Sequence, residues 1–249
     1  PVPGPIALVG GQVYSMDGGL QALPATVLVR GGRIEALLPA HPGAPSQDLP
    51  ADARVIDVTG LFLVPGLIDA AISYDPEHDA LYVTSSVTTV RDTGNDVARL
   101  LIERLPPSRA RTPGPALLMA GPILDSSTAT SSQALILSDG PTTRERLGLL
   151  FETMDERARA LGLAEGAMRP DFLCFQPGLQ PDAWRALIEV AHGPAGLAVW
   201  GPVPTAIGRE EFLASGQDGL LGLQILLPPG VGWHEAAQAD LQPGLKALA

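Results

Sequence analysis

Apolar and polar positions change rhythm once along this chain, close to Gly66. Before that point, short runs of β-forming residues are punctuated by glycine pairs. "IALVGGQVYSM" (6–16) is one such run, and "ATVLVRGGRIEALL" (25–38) is a hairpin pattern. Gly31-Gly32 supplies the positive φ that a two-residue turn requires. The stretch 41–52, "HPGAPSQDLPAD", is a loop by its Pro and Gly content. "RVIDVTGLFLVPG" (54–66) predicts two short strands around Thr59-Gly60. A small β-sandwich or sheet follows, assigned to residues 1–64.

After Gly66 the pattern becomes strand, loop, helix. Strands are predicted at 87–92 (VTTVRD), 115–124 (PALLMAGPIL), 171–175 (DFLCF), 196–200 (GLAVW) and 219–227 (GLLGLQILL). Helical spacing falls at 96–105, 143–163, 181–192 and 209–216, with Pro181 suited to a first turn. The longest of these, "TRERLGLLFETMDERARALGL", is amphipathic and charge-laced. Strand-helix alternation implies parallel βα units, so residues 65–249 are expected to form an α/β barrel or an open doubly wound sheet.

Composition narrows the functional classes. The 249 residues are 45% hydrophobic and 17% charged, which is a globular balance. A net charge of −11 argues against binding nucleic-acid phosphates, which requires Lys and Arg to displace counterions. No apolar run reaches the roughly 20 residues of a membrane span, and the start lacks the marks of a signal peptide. The expectation is a cytoplasmic protein without membrane or nucleic-acid partners. Cys174 is the only cysteine, so no intramolecular disulfide is possible, and Lys246 is the only lysine.

Three stretches in a fixed order carry a resemblance: "RGGRIEAL" (30–37), "VIDVTGLFLVPGLIDA" (55–70) and "SSVTTVRDTG" (85–94). From about Leu8 to about Leu227 the chain resembles the metal-dependent amidohydrolase superfamily of imidazolonepropionase-, prolidase- and dihydroorotase-like enzymes. The resemblance implies a distorted (β/α)8 barrel with a small β-sandwich, and a site at the C-terminal ends of the barrel strands. It also implies one or two divalent metals that convert bound water to hydroxide.

The ligand positions the resemblance implies hold other residues here. Ala71 and Ser73 stand where relatives carry a His-x-His pair, and Cys174 where two-metal relatives carry a bridging carbamylated lysine. Trp200 and Gly222 occupy two further histidine positions, and an eighth-strand aspartate would fall beyond Ala249. Asp69, Arg91 and Asp92 match family positions that support strand ends, so their implied role is structural. No metal and no cofactor is therefore expected.

Other residues offer weaker chemistry. His78 stands among Asp75, Glu77 and Asp79, a loop that could bind a hard cation through oxygens, although a solvated acidic turn accounts for it as well. His41 lies in the Pro-rich loop, His192 at a helix end and His234 in the C-terminal stretch. Cys174, flanked by Phe172, Leu173 and Phe175, reads as a buried structural thiol. "DSSTATSSQ" (125–133) offers hydroxyls without an identifiable base.

About six strands of a barrel precede the C-terminal stretch, so an open strand edge is expected to pair with a second copy or another subunit, unless Trp233 and Leu241 cover it. The leading expectation is a catalytically inactive, amidohydrolase-like scaffold or subunit. A hydrolase of C–N bonds with a rebuilt metal site, and a small-ligand binding protein using the barrel mouth, stay open beside it.

Overall fold

The computed structural model describes residues 4–14, 22–39, 49–96, 98, 102, 114–126 and 134–222. The chain divides into two compact units, Pro1–Gly66 and Leu67–Ala249. His41, His234, Trp233, Leu241, Lys246, residues 127–133 and most of the helix expected at 96–105 lie outside the described residues.

The first unit is built on β1 (Ile6–Val13), β2 (Leu23–Arg30), β3 (Arg33–Pro39), β4 (Arg54–Asp57) and β5 (Phe62–Leu63). The β2–β3 hairpin turns at Gly31 and Gly32, both with positive φ (58° and 76°), as the glycine pair predicts. Strand order is β3-β2-β1-β4, with β5 also on β1. Two short strands thus share one neighbour: β4 pairs with Ile6–Val9 and β5 with Gln12–Val13, both parallel. Between them, β1 shifts register after Leu8, and Gly10 takes a φ of 86°. A Cβ there would lie 2.3 Å from Thr59 Oγ1, so the bulge fits the β4–β5 turn only as glycine. That turn is fixed by Thr59 N–H donating to Asp57 Oδ1 at 2.9 Å.

Among the described residues this unit is a single five-stranded sheet, and the sandwich expected from the resemblance is absent from them. Ala7, Thr26, Val27 and Leu28 of the two central strands are buried, as is Val58 of the β4–β5 turn, while Ile34, Val55, Phe62 and Val64 are exposed.

The second unit carries β6 (Leu67–Ile72), α1 (Asp79–Thr84), β7 (Val87–Asp92), β8 (Ala116–Met119), β9 (Leu124–Asp125), β10 (Leu135–Ile136) and α2 (Gly140–Ala160). It continues with β11 (Phe172–Cys174), α3 (Pro181–Val190), β12 (Ala198–Gly201), α4 (Arg209–Ala214) and β13 (Gly219–Leu220). All of its strand pairs are parallel, as strand-helix alternation predicts. They form the sheets β6-β7-β8 and β11-β12-β13 and the pair β10-β9. Among the described residues these sheets are small and do not close into a barrel.

Part of the reason is local. The strand expected at 115–124 is broken at Gly121, which has a φ of 78° and is followed by Pro122. What bridges the two sheets is sparse. Asp171 N–H donates to Met119 O at 2.9 Å, Met119 N–H donates to Asp171 Oδ2 at 2.9 Å, and Leu124 makes an isolated bridge with Phe175.

Helix α2 begins where Asp139 accepts from Thr142 N–H at 2.7 Å, with Pro141 in the first turn. It buries Thr143, Leu147, Phe151, Met154 and Ala158, a stripe at helical spacing. Helix α3 buries Ala183, Trp184, Ala186, Leu187 and Ile188. It gives way at Ala191 to a wider turn that ends on Gly196 in the left-handed region, φ 62°. Strand alternation sorts the packing. Val90, Leu117 and Met119 meet Met154 and Ala158 of α2, and Leu173 and Val199 meet Leu147, Phe151, Trp184 and Leu187. Phe172 and Cys174 cluster separately with Ala120, Ala198, Trp200 and Leu221, on the strand face away from the helices. Among the described residues, no helix is long and apolar enough to cross a membrane.

Candidate functional site

The strand face away from the helices gathers the groups the sequence singled out. On β7, Val90 and Asp92 are buried on the helix side, so Thr89 and Arg91 take the opposite face. Cys174 of β11 and Trp200 of β12 are register partners. The Arg91 guanidinium carbon lies 3.9 Å from the Trp200 ring centroid and 4.3 Å from that of Phe172, two cation–π contacts made by one side chain. The indole in turn lies against the backbone of Gly219, where a Cβ would come within 2.0 Å of Trp200 Cδ2. Glycine at 219 therefore admits the ring.

Burial dominates the electrostatics of this face. It pushes the Cys174 thiol up to about 12, against the pull of the Arg91 charge, so the sulfur is a neutral thiol at physiological pH. Burial also draws Arg91 below the ordinary arginine range, which still leaves it charged at neutral pH. Among the described residues, the Arg91 guanidinium has no hydrogen-bond or ion-pair partner.

Asp92 holds the rim. Its buried carboxylate accepts from Tyr74 N–H (2.7 Å), Gly94 N–H (3.0 Å) and Asn95 Nδ2 (3.2 Å). Asn95 also donates to Tyr74 O at 2.8 Å, and Thr93 N–H to Ile72 O at 3.0 Å. The loops after β6 and β7 are thereby tied to each other. Asp69 is exposed on β6 opposite Val90. After burial, its charge is the next cause that raises the Tyr82 phenol.

The acidic loop after β6 is occupied with its own backbone. Asp75 caps the turn Pro76–His78 by accepting from Glu77 N–H at 3.1 Å, and buried Asp79 accepts from the Tyr74 hydroxyl at 2.7 Å. Glu77 and His78 are exposed. Among the described residues, no group of three or more His, Cys, Asp or Glu side chains is placed to hold a metal ion. The implied ligand positions agree in their chemistry. Ala71 and Gly222 offer no side-chain donor, Ser73 is an exposed hydroxyl, Trp200 is engaged with Arg91, and Cys174 is a protonated thiol. This donor set does not fit a divalent hydrolytic metal.

Two other features border the sheets. Beyond the C-terminal ends of β11, β12 and β13 lies a hollow of about 490 Å³, lined mainly by proline and aliphatic side chains, among them Pro177, Pro202, Val203, Ile207 and Leu221, together with Thr205. None of these side chains ionises. His192, in the turn after α3, places Nε2 2.8 Å from Asp218 Oδ2, which also accepts from Val199 N–H at 2.8 Å. Burial raises the Asp218 carboxyl, but the His192 and Val199 hydrogen bonds outweigh it and hold the group below the usual range.

The structure thus brings Arg91, Cys174 and Trp200 together, and among the described residues Ala71, Ser73 and Gly222 belong to no cluster that could hold a metal ion. The sequence reading did not single out Phe172, Tyr74 or Asn95. Phe172 shares the parity of Cys174 within "DFLCF", which was a signal for its face. The reach of Tyr74 and Asn95 to Asp92 has no such pattern.

No family profile matches the chain, and no curated protein sequence matches it. Solved structures do. A provisionally assigned prolidase from Bifidobacterium longum is similar at a TM-score of 0.62 and 21% identity, over 91% of this chain and 57% of the other. Bottromycin amidohydrolase gives 0.65 and 18%, over 98% and 49%, and molinate hydrolase 0.61 and 15%, over 96% and 62%. The chain therefore spans roughly half to three fifths of the length of these hydrolases. At such identities the likeness is one of architecture: this chain shares the fold of these hydrolase structures over nearly all of its length.

Proposed function

We propose that this chain is an amidohydrolase-type protein without metal-dependent hydrolysis, acting as a scaffold or subunit through protein association. In this reading β6, β7, β8, β11, β12 and β13 are strands of an incomplete (β/α) barrel, with the short pair β9 and β10 between β8 and β11. The parallel pairing within each three-stranded sheet, in chain order, supports it. The observation that carries the loss of hydrolysis is the donor set: alanine, exposed serine, protonated thiol, stacked indole and glycine at the five implied ligand positions.

Association is supported by apolar exposure in the second unit. Leu67 is 59% exposed, Ile68 63% and Leu118 38%, all on the sheet β6-β7-β8. Large apolar side chains left exposed on strands are candidates for cover by another protein surface. Light scattering on a sizing column, together with pull-down, tests this. The expected result is a self-associated or partner-bound wild type whose association is lost in Ile68→Glu. A wild type that stays monomeric and captures no partner overturns it. So does stoichiometric zinc, manganese or iron that is released by His78→Ala.

A further inference from the structure

Arg91 presents an electrostatic puzzle within a chain of net charge −11. Its guanidinium is half-buried beside two aromatic rings, and among the described residues no carboxylate answers it. Guanidinium groups have two kinds of surface. The faces stack on π systems, and the edge carries five N–H donors in a fixed fork. Phe172 and Trp200 account for the π contacts. Nothing among the described residues accepts from the fork, and a partly desolvated donor left without an acceptor is costly.

The surroundings define what would fit that fork. Cys174 is a neutral thiol, Ala198 is a small apolar neighbour, and Trp200 is half-exposed. One cation with an apolar flank suits a singly charged planar acceptor with an apolar body. A phosphate calls for several donors, from clustered cations or backbone N–H groups, and this face shows a single cation among the described residues. Arg91 and Trp200 also stand in the C-terminal halves of β7 and β12, the end of parallel strands at which α/β proteins bind ligands.

We propose that Arg91, held by Phe172 and Trp200, is the anchor of a binding site for a small organic carboxylate. The guanidinium fork pairs with both carboxylate oxygens, and the ligand body lies along the half-buried Trp200 ring. The ligand chemistry is noncovalent, and the site requires no metal. This goes beyond the scaffold reading and does not depend on it, since a monomer would bind as well as an assembly.

Benzoate is the probe, with benzamide as its uncharged isostere and inorganic phosphate as the tetrahedral anion. Binding is followed by calorimetry and tryptophan fluorescence at constant ionic strength. The expected result is saturable millimolar or tighter binding of benzoate, at least about tenfold weaker binding of benzamide, and weaker binding of phosphate. Arg91→Gln is expected to lose benzoate binding. Arg91→Lys, which keeps the charge and loses the fork, is expected to weaken it by about tenfold. Circular dichroism and urea midpoints establish that each variant is folded; should Arg91→Gln not fold, Arg91→Lys and the benzamide comparison still decide. No saturation with millimolar benzoate overturns the proposal. Equal binding of benzoate and benzamide, tighter binding of phosphate, or undiminished binding by Arg91→Lys does so as well.

Discussion

Asp92 shows how much one side chain can hold. Its carboxylate is fully buried and accepts three N–H donors, one from the loop after β6 and two from the loop after β7. Removing it strands those donors away from water. Asp92→Ala is therefore expected to cost about 3 kcal/mol of unfolding free energy, read from urea melts at pH 7. A cost below about 1 kcal/mol would mean that water replaces the carboxylate easily. Residue identity made part of this legible in advance. A charged pair ending a buried strand, as in "VTTVRD", points to a rim role. What Arg91 meets was not legible, because Phe172 and Trp200 reach it only through the folding of strands more than 80 positions away. The motif named the cation and left its neighbours unspecified.

At the scale of elements, local chemistry predicted well where it was strong. Gly31-Gly32 makes its turn, and the 143–163 pattern is helix α2, begun three residues early by the Asp139 cap and Pro141. It predicted poorly where two signals competed. Gly121-Pro122 interrupts an otherwise apolar run, so the expected long strand becomes β8 and β9. Helix α1, only six residues long, has too few turns to show a period.

Helix α2 also carries the clearest pH dependence. Asp155 binds the Arg169 guanidinium through both oxygens and accepts from Gly166 N–H at 3.0 Å, so it fastens the loop that leads to β11. The Arg169 hydrogen bond is the main reason the Asp155 carboxyl sits below its usual range. A carboxyl depressed in the folded state contributes stability above its unfolded value, about 3.9, and loses it as pH falls through the folded value. Asp155→Asn is thus expected to lower stability by about 2 kcal/mol at pH 7 and by much less near pH 2. Urea midpoints across that range check the slope. An equal loss at both ends would show that the ionised carboxylate is not what holds the loop.

Across the whole molecule, the sequence conveyed the type of fold better than its closure. Three ordered stretches pointed to the fold that the solved hydrolases share at 15–21% identity. They could not say whether six parallel strands would close. Closure depends on register and on how sheets meet, and here β8 and β11 touch through Asp171 and Met119 and not through a continuous ladder. The expected sandwich likewise reduces to one sheet among the described residues, because pairing of β4 and β5 to the same strand is a long-range choice that periodicity does not encode. Cys174 gives this architecture a built-in clock. The chain has one sulfhydryl, and it lies 1% exposed beside Trp200 in the neighbouring strand, protonated until about pH 12. An alkylating reagent at pH 8 should leave it untouched until the β11–β12 ladder parts. Mass spectrometry of iodoacetamide-treated protein would then count openings one molecule at a time, with rates that rise in step with urea; prompt modification of the native protein would show that this seam breathes freely.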